Sequence, residues 1–360
     1  MMTLKQFSGG LESIPTTVSW YLADLGEARG KQALYTAQAP QILKKLREHA
    51  LIESAVSSNR IEGVEVDQQR VGTIVFGQPM LRDRDEEAVR GYRDALKVVH
   101  EQGSRLEVSE VQEEFVRHLH AMISGQIWDA GHYKDKDSEI IEKYADGRQR
   151  VRFRTTPAAS TPEAMRLLVE LWQNGLRERW VHPLVVLAGF NLDFLCIHPF
   201  RDGNGRVSRL LLLFQLYRLG YEVGRYISLE RLIEQNKERY YETLEESSKG
   251  WHDGLHNPWP YIGYLLFVLK TAYREFEERV GETVSPRGAK AGLVTDAIRK
   301  QLGEFRLADI ERACPGVGRE WIRRLLAELK EAGEVAVSGR GPAARWRHLG
   351  AAANKGTTAK

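Results

Sequence analysis

Twelve consecutive residues near the middle of the chain combine side chains that phosphate chemistry uses. The run is His198-Pro199-Phe200-Arg201-Asp202-Gly203-Asn204-Gly205-Arg206-Val207-Ser208-Arg209. A histidine such as His198 titrates near neutral pH and can take the proton of an attacking hydroxyl. The carboxylate of Asp202 suits Mg²⁺, which prefers one or two carboxylates together with phosphate oxygens. Arg206 and Arg209 are three residues apart, so on a helix they share a face from which both can bind phosphate.

The flanking segments predict two helices that hold this run between them. Pro183 to Ile197 is apolar almost all round, as expected of a buried helix that ends at His198. Val207 to Leu219 has the length and leucine content of a second helix. Gly203 to Gly205 would form the turn into that helix, where backbone N–H groups and the helix dipole attract an anion. We therefore predict a triphosphate site at the junction of two helices, with Phe200 packed into the core.

The run resembles the signature of the Fic family, His-x-Phe-x-Asp/Glu-Gly-Asn-Gly-Arg-x-x-Arg, at every position. The resemblance implies a mostly helical core that transfers AMP from ATP to a hydroxyl of a protein, with Mg²⁺ as cofactor. It assigns His198 as the base, Asp202 as the metal ligand and Arg209 as the partner of the γ-phosphate. The other phosphate- or nucleotide-binding positions that it implies are Arg201, Gly203, Asn204, Gly205 and Arg206. Doc-type relatives phosphorylate instead and have Ala where Gly203 stands, so Gly203 favours AMP transfer.

A motif upstream of this run resembles the inhibitory motif of Fic proteins, Ser/Thr-x-x-x-Glu-Gly/Asn. Residues 43–63 show helical spacing of apolar residues and end in Ser58-Asn59-Arg60-Ile61-Glu62-Gly63. The resemblance implies that Glu62 pairs with Arg209 where the γ-phosphate must lie, so that ATP binds only unproductively. The alternative is a surface helix with Glu62 in its last turn and Gly63 as its C-cap.

Ile140 to Phe153 predicts a β-hairpin within this helical protein. Arginines alternate with apolar residues along the segment, and Asp146-Gly147 is a tight-turn signal. Fic proteins have a hairpin flap at this place, and Gly131-His132-Tyr133-Lys134 resembles the family's lead into it, with Lys in place of Arg. An unpaired flap edge could hold a target segment by strand addition. A surface hairpin with charged edges is the alternative.

Tyr240 and Tyr241 resemble the tyrosine pair that borders the adenine pocket in the family. Aromatic faces stack on bases whatever the base, so the pair would suit that role. Seven residues after the second tyrosine, where several relatives have Asn, this chain has Ser248. The adenine hydrogen bond of those relatives is therefore not implied here.

Composition indicates a soluble, cytoplasmic enzyme of more than one domain. The chain has 360 residues, 42% of them hydrophobic, which suffices for two or three cores. Its two cysteines, Cys196 and Cys314, offer no disulfide framework. The first residues lack the apolar stretch of a signal peptide, and the longest apolar runs are too short to cross a membrane. We therefore expect no membrane partner.

Positive charge is concentrated towards the C terminus. Residue 286 and those after it include 15 Lys/Arg against 8 Asp/Glu, a net of +7, whereas the whole chain has a net charge of +3. Helices at 291–302, 307–314 and 319–332, followed by strands at 334–337 and 345–348, would have the order of a winged helix-turn-helix. The third helix and the wing carry Arg319, Arg323, Arg324, Arg340, Arg345 and Arg347. Contact with DNA phosphates and a role in dimer or protein contacts are both open.

These observations predict an all-α fold, with a Fic helical core, a small β-hairpin flap and a C-terminal winged-helix domain. The predicted parts are an N-terminal helical region (1–105) with the inhibitory helix (about 43–63), the Fic core (106–255), a helical connector (256–285), the winged helix-turn-helix (286–350) and a disordered tail (351–360).

The predicted function is that of an auto-inhibited protein adenylyltransferase, a nucleotidyltransferase that uses Mg²⁺ and ATP to modify a target protein or itself. A homodimer is one candidate assembly. Two alternatives belong to other classes of function. One is a de-AMPylating hydrolase in which Glu62 positions a water molecule. The other is a nucleotide-sensing, DNA-binding regulator, for which His198 would be dispensable.

Overall fold

A computed structural model of the chain describes residues 2–11, 13–38, 40–77, 79–103, 112–125, 127–143, 147–284, 294–295, 297–299, 301, 303–314, 317–339, 341 and 344–349. The chain divides into two compact units, Met1–Glu278 and Arg279–Lys360. The described residues are mostly helical, with small two-stranded hairpins, so the expectation of a mostly helical fold is confirmed. No helix in these ranges is long and apolar enough to cross a membrane.

The first unit contains the residues of the two sequence motifs. Its N-terminal helices are α1 (Thr3–Ser8), α2 (Thr16–Gln38), α3 (Pro40–Ile61), α4 (Gln68–Phe76), α5 (Arg84–Gly103) and α6 (Glu113–Ser124). The strands β1 (Glu139–Lys143) and β2 (Gln149–Arg154) follow, and then α7 (Thr161–Arg177), α8 (Pro183–Ile197) and α9 (Asn204–Arg218). The last helices are α10 (Leu229–Gln235), α11 (Lys237–Ser248) and α12 (Trp259–Val284), and the final residues of α12 belong to the second unit. The helix predicted at 43–63 lies within α3 except for its last two residues, and the phosphate-binding run joins α8 to α9.

Helix α8 is buried along its whole length after the first residue. All residues from Leu184 to Ile197 are buried, which is why the sequence is apolar almost all round. Its polar side chains have partners, because a buried polar group without one is costly. Asn191 Nδ2 donates to Ser208 O of α9 at 2.8 Å. Asp193 accepts from the backbone N–H of Thr3 in α1 at 2.7 Å. These bonds fix the helix that ends at the predicted base.

The hairpin predicted at Ile140–Phe153 is present. Strands β1 and β2 pair antiparallel with one irregularity in register, whereas Asp146 of the predicted turn lies outside the described residues. Arg152 of β2 donates to Tyr241 O of α11 and pairs with Glu245 at 3.3 Å. The hairpin therefore rests on α11.

The second unit has two described helices, Leu307–Ala313 and Arg319–Glu331, followed by the antiparallel strands β3 (Val335–Ser338) and β4 (Arg345–His348). These bounds fall within one residue of those predicted. Half of the residues of the helix predicted at 291–302 lie outside the described residues, as does Arg340. Helix α12, which ends at Val284, lies within the helical connector predicted at 256–285.

Arginines of the second unit stand close to acidic side chains. Arg319 lies 3.4 Å from Glu311, Arg323 lies 2.6 Å from Glu320, and Arg345 lies 3.7 Å from Glu304. All these side chains are largely exposed, so each pair is weak and screened by salt. The positive charge of the unit is therefore partly neutralised within it.

Candidate functional site

His198 ends α8 in the left-handed conformation, with φ 52° and ψ 61°, which is uncommon outside glycine. Its ring Nδ1 lies 3.3 Å from Leu195 O. When Nδ1 donates its proton to that carbonyl, Nε2 is left as the acceptor. Burial, together with the positive charge of Lys134, lowers the pKa of His198 to about 4. The ring is therefore neutral at pH 7 and able to accept a proton.

The turn between α8 and α9 is closed by Asn204. Its Oδ1 accepts from Phe200 N at 2.9 Å, and its Nδ2 donates to Phe200 O at 2.7 Å. Gly203 adopts the left-handed conformation at the start of α9, with φ 77°, which glycine adopts without strain. Phe200 is buried, as predicted, and its ring stacks on His120 at a centroid distance of 3.8 Å. The turn therefore holds the N-terminus of α9, a favourable place for an anion, in a fixed position.

Two residues that the sequence analysis did not identify also support this turn. His120 Nδ1 accepts from Gly131 N at 2.9 Å, so the proton lies on Nε2, which is 3.1 Å from Asp202 O. Burial lowers the pKa of His120 to about 4, so the ring stays neutral. Lys134 Nζ donates to Ile197 O at 3.2 Å. The segment Gly131–Lys134, which resembles the lead into the family's flap, was the available signal for Lys134, whereas His120 lies outside it.

Arg206 and Arg209 lie on α9 as predicted, and both are buried. Arg206 Nη2 lies 3.2 Å from Asp202 Oδ2, and Arg206 Nη1 lies 3.5 Å from Asn59 Oδ1. The Asp202 side chain is 86% exposed, so its oxygens are accessible to a cation. Arg206 therefore orients the one carboxylate of the motif.

Arg209 is held by the end of α3. Its Nε donates to Ser58 Oγ and its Nη2 to Ser58 O, each at 2.8 Å. Its Nη2 also donates to Glu62 Oε1 at 2.8 Å. Burial opposes the charge of Arg209, yet the carboxylate of Glu62 raises its pKa. The structure thus brings together the two motifs that the sequence separates.

Glu62 lies directly after the last residue of α3, and Gly63 follows it in the left-handed conformation, with φ 84°. The Glu62 carboxylate approaches Gly205 so closely that a Cβ on Gly205 would overlap Oε1. The side chain of Glu62 is 31% exposed and that of Arg209 is 3% exposed. Glu62 therefore occupies the space directly in front of the N-terminal turn of α9.

A cavity of about 330 Å³ extends from Glu62 along α8 and α11. His198 and Gly205 line the same cavity. Its other walls include Ile140, Arg152, Phe153, Leu192, Leu195, Cys196, Tyr240, Tyr241, Leu244 and Ser248. Tyr241 and Ser248 are separated by two turns of α11, about 10 Å along the axis. The cavity thus joins the predicted tyrosine pair to the predicted base.

Arg201, Asp202 and Arg206 line a different cavity, of about 720 Å³. Arg201 pairs with Asp129 at 2.8 Å, and its guanidinium lies 5.1 Å from the centre of the Trp128 ring. Arg201 therefore contacts protein groups, as Arg206 and Arg209 also do. None of the three residues Arg201, Asp202 and Arg206 lines the cavity that contains His198.

Comparison with known proteins shows what this part of the chain is similar to. Residues 110–216 match the model of the Fic/DOC family. Over 81 residues, which are 22% of its length, the chain is 35% identical to the "Protein adenylyltransferase Fic" of Aedes aegypti. Its identity to the protein of the same name from Drosophila melanogaster is also 35%, again over 81 residues. The matched stretch spans 15% of each of those relatives.

Solved structures resemble a much larger part of the chain. A Fic family protein from Desulfovibrio desulfuricans G20 has a TM-score of 0.59 at 24% identity, and the match covers 96% of this chain and 98% of that one. A Fic domain containing signaling protein from Bacteroides thetaiotaomicron VPI-5482 has a TM-score of 0.61 at 22% identity, and the match covers 72% of this chain and 98% of that one. At these identities the likeness shows the fold. The chain therefore contains a Fic domain and has the fold of Fic-family proteins.

Proposed function

We propose that this protein is an auto-inhibited protein adenylyltransferase, which moves AMP from ATP to a hydroxyl of a target protein or of itself. The Fic domain and the relatives named protein adenylyltransferase support an AMPylation-type function at the level of the family. The observation that carries the proposal is the position of Glu62. Its carboxylate binds Arg209 and contacts Gly205 at the end of the cavity that also contains His198.

In this proposal the acceptor hydroxyl gives its proton to Nε2 of His198. The hydroxyl oxygen then attacks the α-phosphorus of ATP, the bond from that phosphorus to the bridging oxygen breaks, and pyrophosphate leaves. The backbone N–H groups at the start of α9 and the guanidinium of Arg209 would stabilise the charge on the phosphates. The nucleoside would lie along α11 with its base near Tyr241 and Ser248.

Asp202 is the residue proposed to hold Mg²⁺. Its exposed carboxylate suits an ion that takes one or two protein oxygens and obtains the remaining ligands from phosphate and water. When bound, Mg²⁺ would neutralise phosphate charge. Arg206 and the backbone N–H of Gly203, which donates to Asp202 Oδ1 at 2.6 Å, orient the carboxylate for this role.

The inhibited state follows from the contacts of Glu62. A γ-phosphate that approached Arg209 would meet the Glu62 carboxylate, and two negative groups would compete for one guanidinium. ATP would then bind with its α-phosphate out of line with the acceptor hydroxyl. Release of Glu62 from Arg209 would permit the productive arrangement.

The test is incubation of the purified protein with ATP labelled at the α-phosphate, with and without a cell lysate. We expect His198→Ala to lower transfer by about 10² to 10⁴, because the base is lost. Binding of ATP should be largely retained, since the N-terminus of α9 is intact. Undiminished labelling by this variant would remove His198 from the role of base. Label transferred from γ-labelled ATP would indicate a kinase instead.

A de-AMPylating hydrolase is the second candidate, because Glu62 and His198 line the same cavity. In that function a carboxylate in the place of Glu62 would orient a water molecule towards the phosphorus of an AMP-modified side chain. Release of AMP from previously modified protein, abolished by Glu62→Gln, would establish it.

For the second unit we propose a winged helix-turn-helix, in which Arg319 and Arg323 stand on the longer helix. The nearby Glu311 and Glu320 reduce the positive charge available to DNA. Binding of the full chain to duplex DNA at low and at moderate salt tests this proposal, since phosphate contacts weaken steeply as salt rises.

A further inference from the structure

Three buried polar side chains meet where α3, α5 and α10 pack together. They are Ser54, Tyr92 and Glu230, which are 1%, 0% and 1% exposed. The Tyr92 hydroxyl donates to Glu230 Oε1 at 2.8 Å, and the Ser54 hydroxyl donates to Glu230 Oε2 at 2.7 Å. Both oxygens of one buried carboxyl group are therefore bonded to side chains from two different helices.

This cluster is connected to the inhibitory contact. Ser54 and Ser58 are one turn apart on α3, so they lie on the same face. The Ser58 hydroxyl accepts from Arg209 Nε at 2.8 Å, and the Ser58 carbonyl oxygen accepts from Arg209 Nη2 at the same distance. One face of α3 thus binds Glu230 through Ser54 and Arg209 through Ser58.

Two further pairs join α10 to α3 outside the buried cluster. Arg231 lies 3.2 Å from Glu53, and Arg60 lies 3.8 Å from Glu234. These side chains are between 18% and 35% exposed, so the pairs are weaker than the buried contacts. They flank the Ser54 contact on both sides, so α10 packs along about two turns of α3.

The loss of hydration offsets much of what a buried carboxyl group gains from its hydrogen bonds, so an apolar cluster of the same volume stabilises the fold at least as well. What its hydrogen bonds add is a defined register, since they form only when Ser54 stands opposite Glu230. A rotation or slide of α3 would break them, and it would also move Ser58 and Glu62 away from Arg209.

We propose that Ser54, Tyr92 and Glu230 form a latch that holds α3 in register and so sets how strongly Glu62 inhibits the enzyme. The inference rests on the auto-inhibited adenylyltransferase proposed above. The three side chains are positioning residues, because they act on the site through α3 and Arg209. Opening of the latch increases activity, whereas damage to a purely structural cluster would decrease it.

The experiment measures initial rates of self-labelling from α-labelled ATP by the full chain. Ser54→Ala removes the hydrogen bond to Glu230 Oε2 and the contact with the buried Ser228 Oγ at 2.9 Å, and we expect a rise of about 5- to 10-fold. Tyr92→Phe should raise the rate in the same direction. Ser57→Ala is the matched control: Ser57 is also buried on α3 but is not bonded to Glu230, and its rate should stay at the wild-type value.

The same substitution in the Glu62→Gly background separates the latch from general effects. We expect Ser54→Ala to add nothing there, because the inhibitory carboxylate is already absent. Hydrogen exchange of the backbone at residues 55–63 should be faster in Ser54→Ala than in Ser57→Ala.

Unchanged or lowered rates in both Ser54→Ala and Tyr92→Phe, with Glu62→Gly activated, would overturn the latch alone. An equal rise from Ser54→Ala in the presence and absence of Glu62 would also overturn it. If Glu62→Gly itself were not activated, auto-inhibition would fail, and the latch with it.

Discussion

Replacement of Glu62 by glycine should activate this protein. In the structure Arg209 donates one hydrogen bond to Glu62 and two to Ser58, all at 2.8 Å. Glu62→Gly removes the carboxylate in front of Gly205 but leaves the two contacts that orient Arg209. The guanidinium would then be in place for the γ-phosphate, without a competing negative group.

The size of the effect follows from the contact that is lost. A hydrogen bond between charged groups contributes about 1.5 to 3 kcal/mol. The Glu62 side chain is 31% exposed, so screening by solvent extends the range down to about 1 kcal/mol, and we use about 1 to 3 kcal/mol. Because about 1.4 kcal/mol corresponds to a factor of ten, the competent population should rise roughly 5- to 150-fold.

The assay compares initial rates of self-labelling from α-labelled ATP for wild type, Glu62→Gly and Glu65→Gly. Glu65 is an exposed residue three positions further on, so it controls for the loss of one surface carboxylate and for added chain flexibility. Arg209→Ala in the Glu62→Gly background should abolish the gain. If Glu62→Gly left both the labelling rate and the affinity for ATP at wild-type values, the contact would have no inhibitory role.

Three further predictions concern other parts of the site. Gly205→Ala should abolish labelling even in the Glu62→Gly background, because the added Cβ would point into the space that the Glu62 carboxylate fills in the wild type. Full activity of the double variant would contradict this. Asp202→Ala should abolish the labelling that depends on added Mg²⁺. An Asp202→Ala variant that is active without added metal would count against Asp202 as the Mg²⁺ ligand. The melting temperature should fall steeply as pH is lowered from about 6.5 to about 4. Burial lowers the pKa of four histidines to about 3 or 4, namely His100, His120, His198 and His256. Between about pH 6.5 and pH 4 these side chains therefore bind protons in the unfolded chain but not in the folded one. Burial raises the pKa of Asp193 to about 6, so protonation of this one group stabilises the folded chain as pH falls, against four histidines that destabilise it. A constant melting temperature between about pH 6.5 and pH 4 would refute the lowered pKa values of these histidines.

The main parts of the site could be predicted because they are local in the chain. The base, the carboxylate and the glycines of the turn lie within one short run, and the apolar segments on either side define the helices that carry it. Asn204 closes its own turn on Phe200, four residues away. Such contacts depend on nearby residue types and on backbone preferences, so the sequence is sufficient to predict them. The hairpin was predicted on similar grounds, from alternation and a turn signal.

Contacts between distant segments were decided by the packing of helices. Glu62 and Arg209 are 147 residues apart, and only the place of α3 beside α9 brings them to 2.8 Å. The same is true of His120 on α6, which supports the turn although no motif identifies it. Arg201, which the signature implies as a phosphate ligand, pairs with Asp129 in the structure, and its role towards phosphate stays a prediction. A motif fixes residue types and spacing, but the direction of a side chain depends on the neighbours that the tertiary structure provides. The sequence by itself therefore determined which groups the chemistry requires, and the packing of α3 and α6 on α9 decided which of them meet.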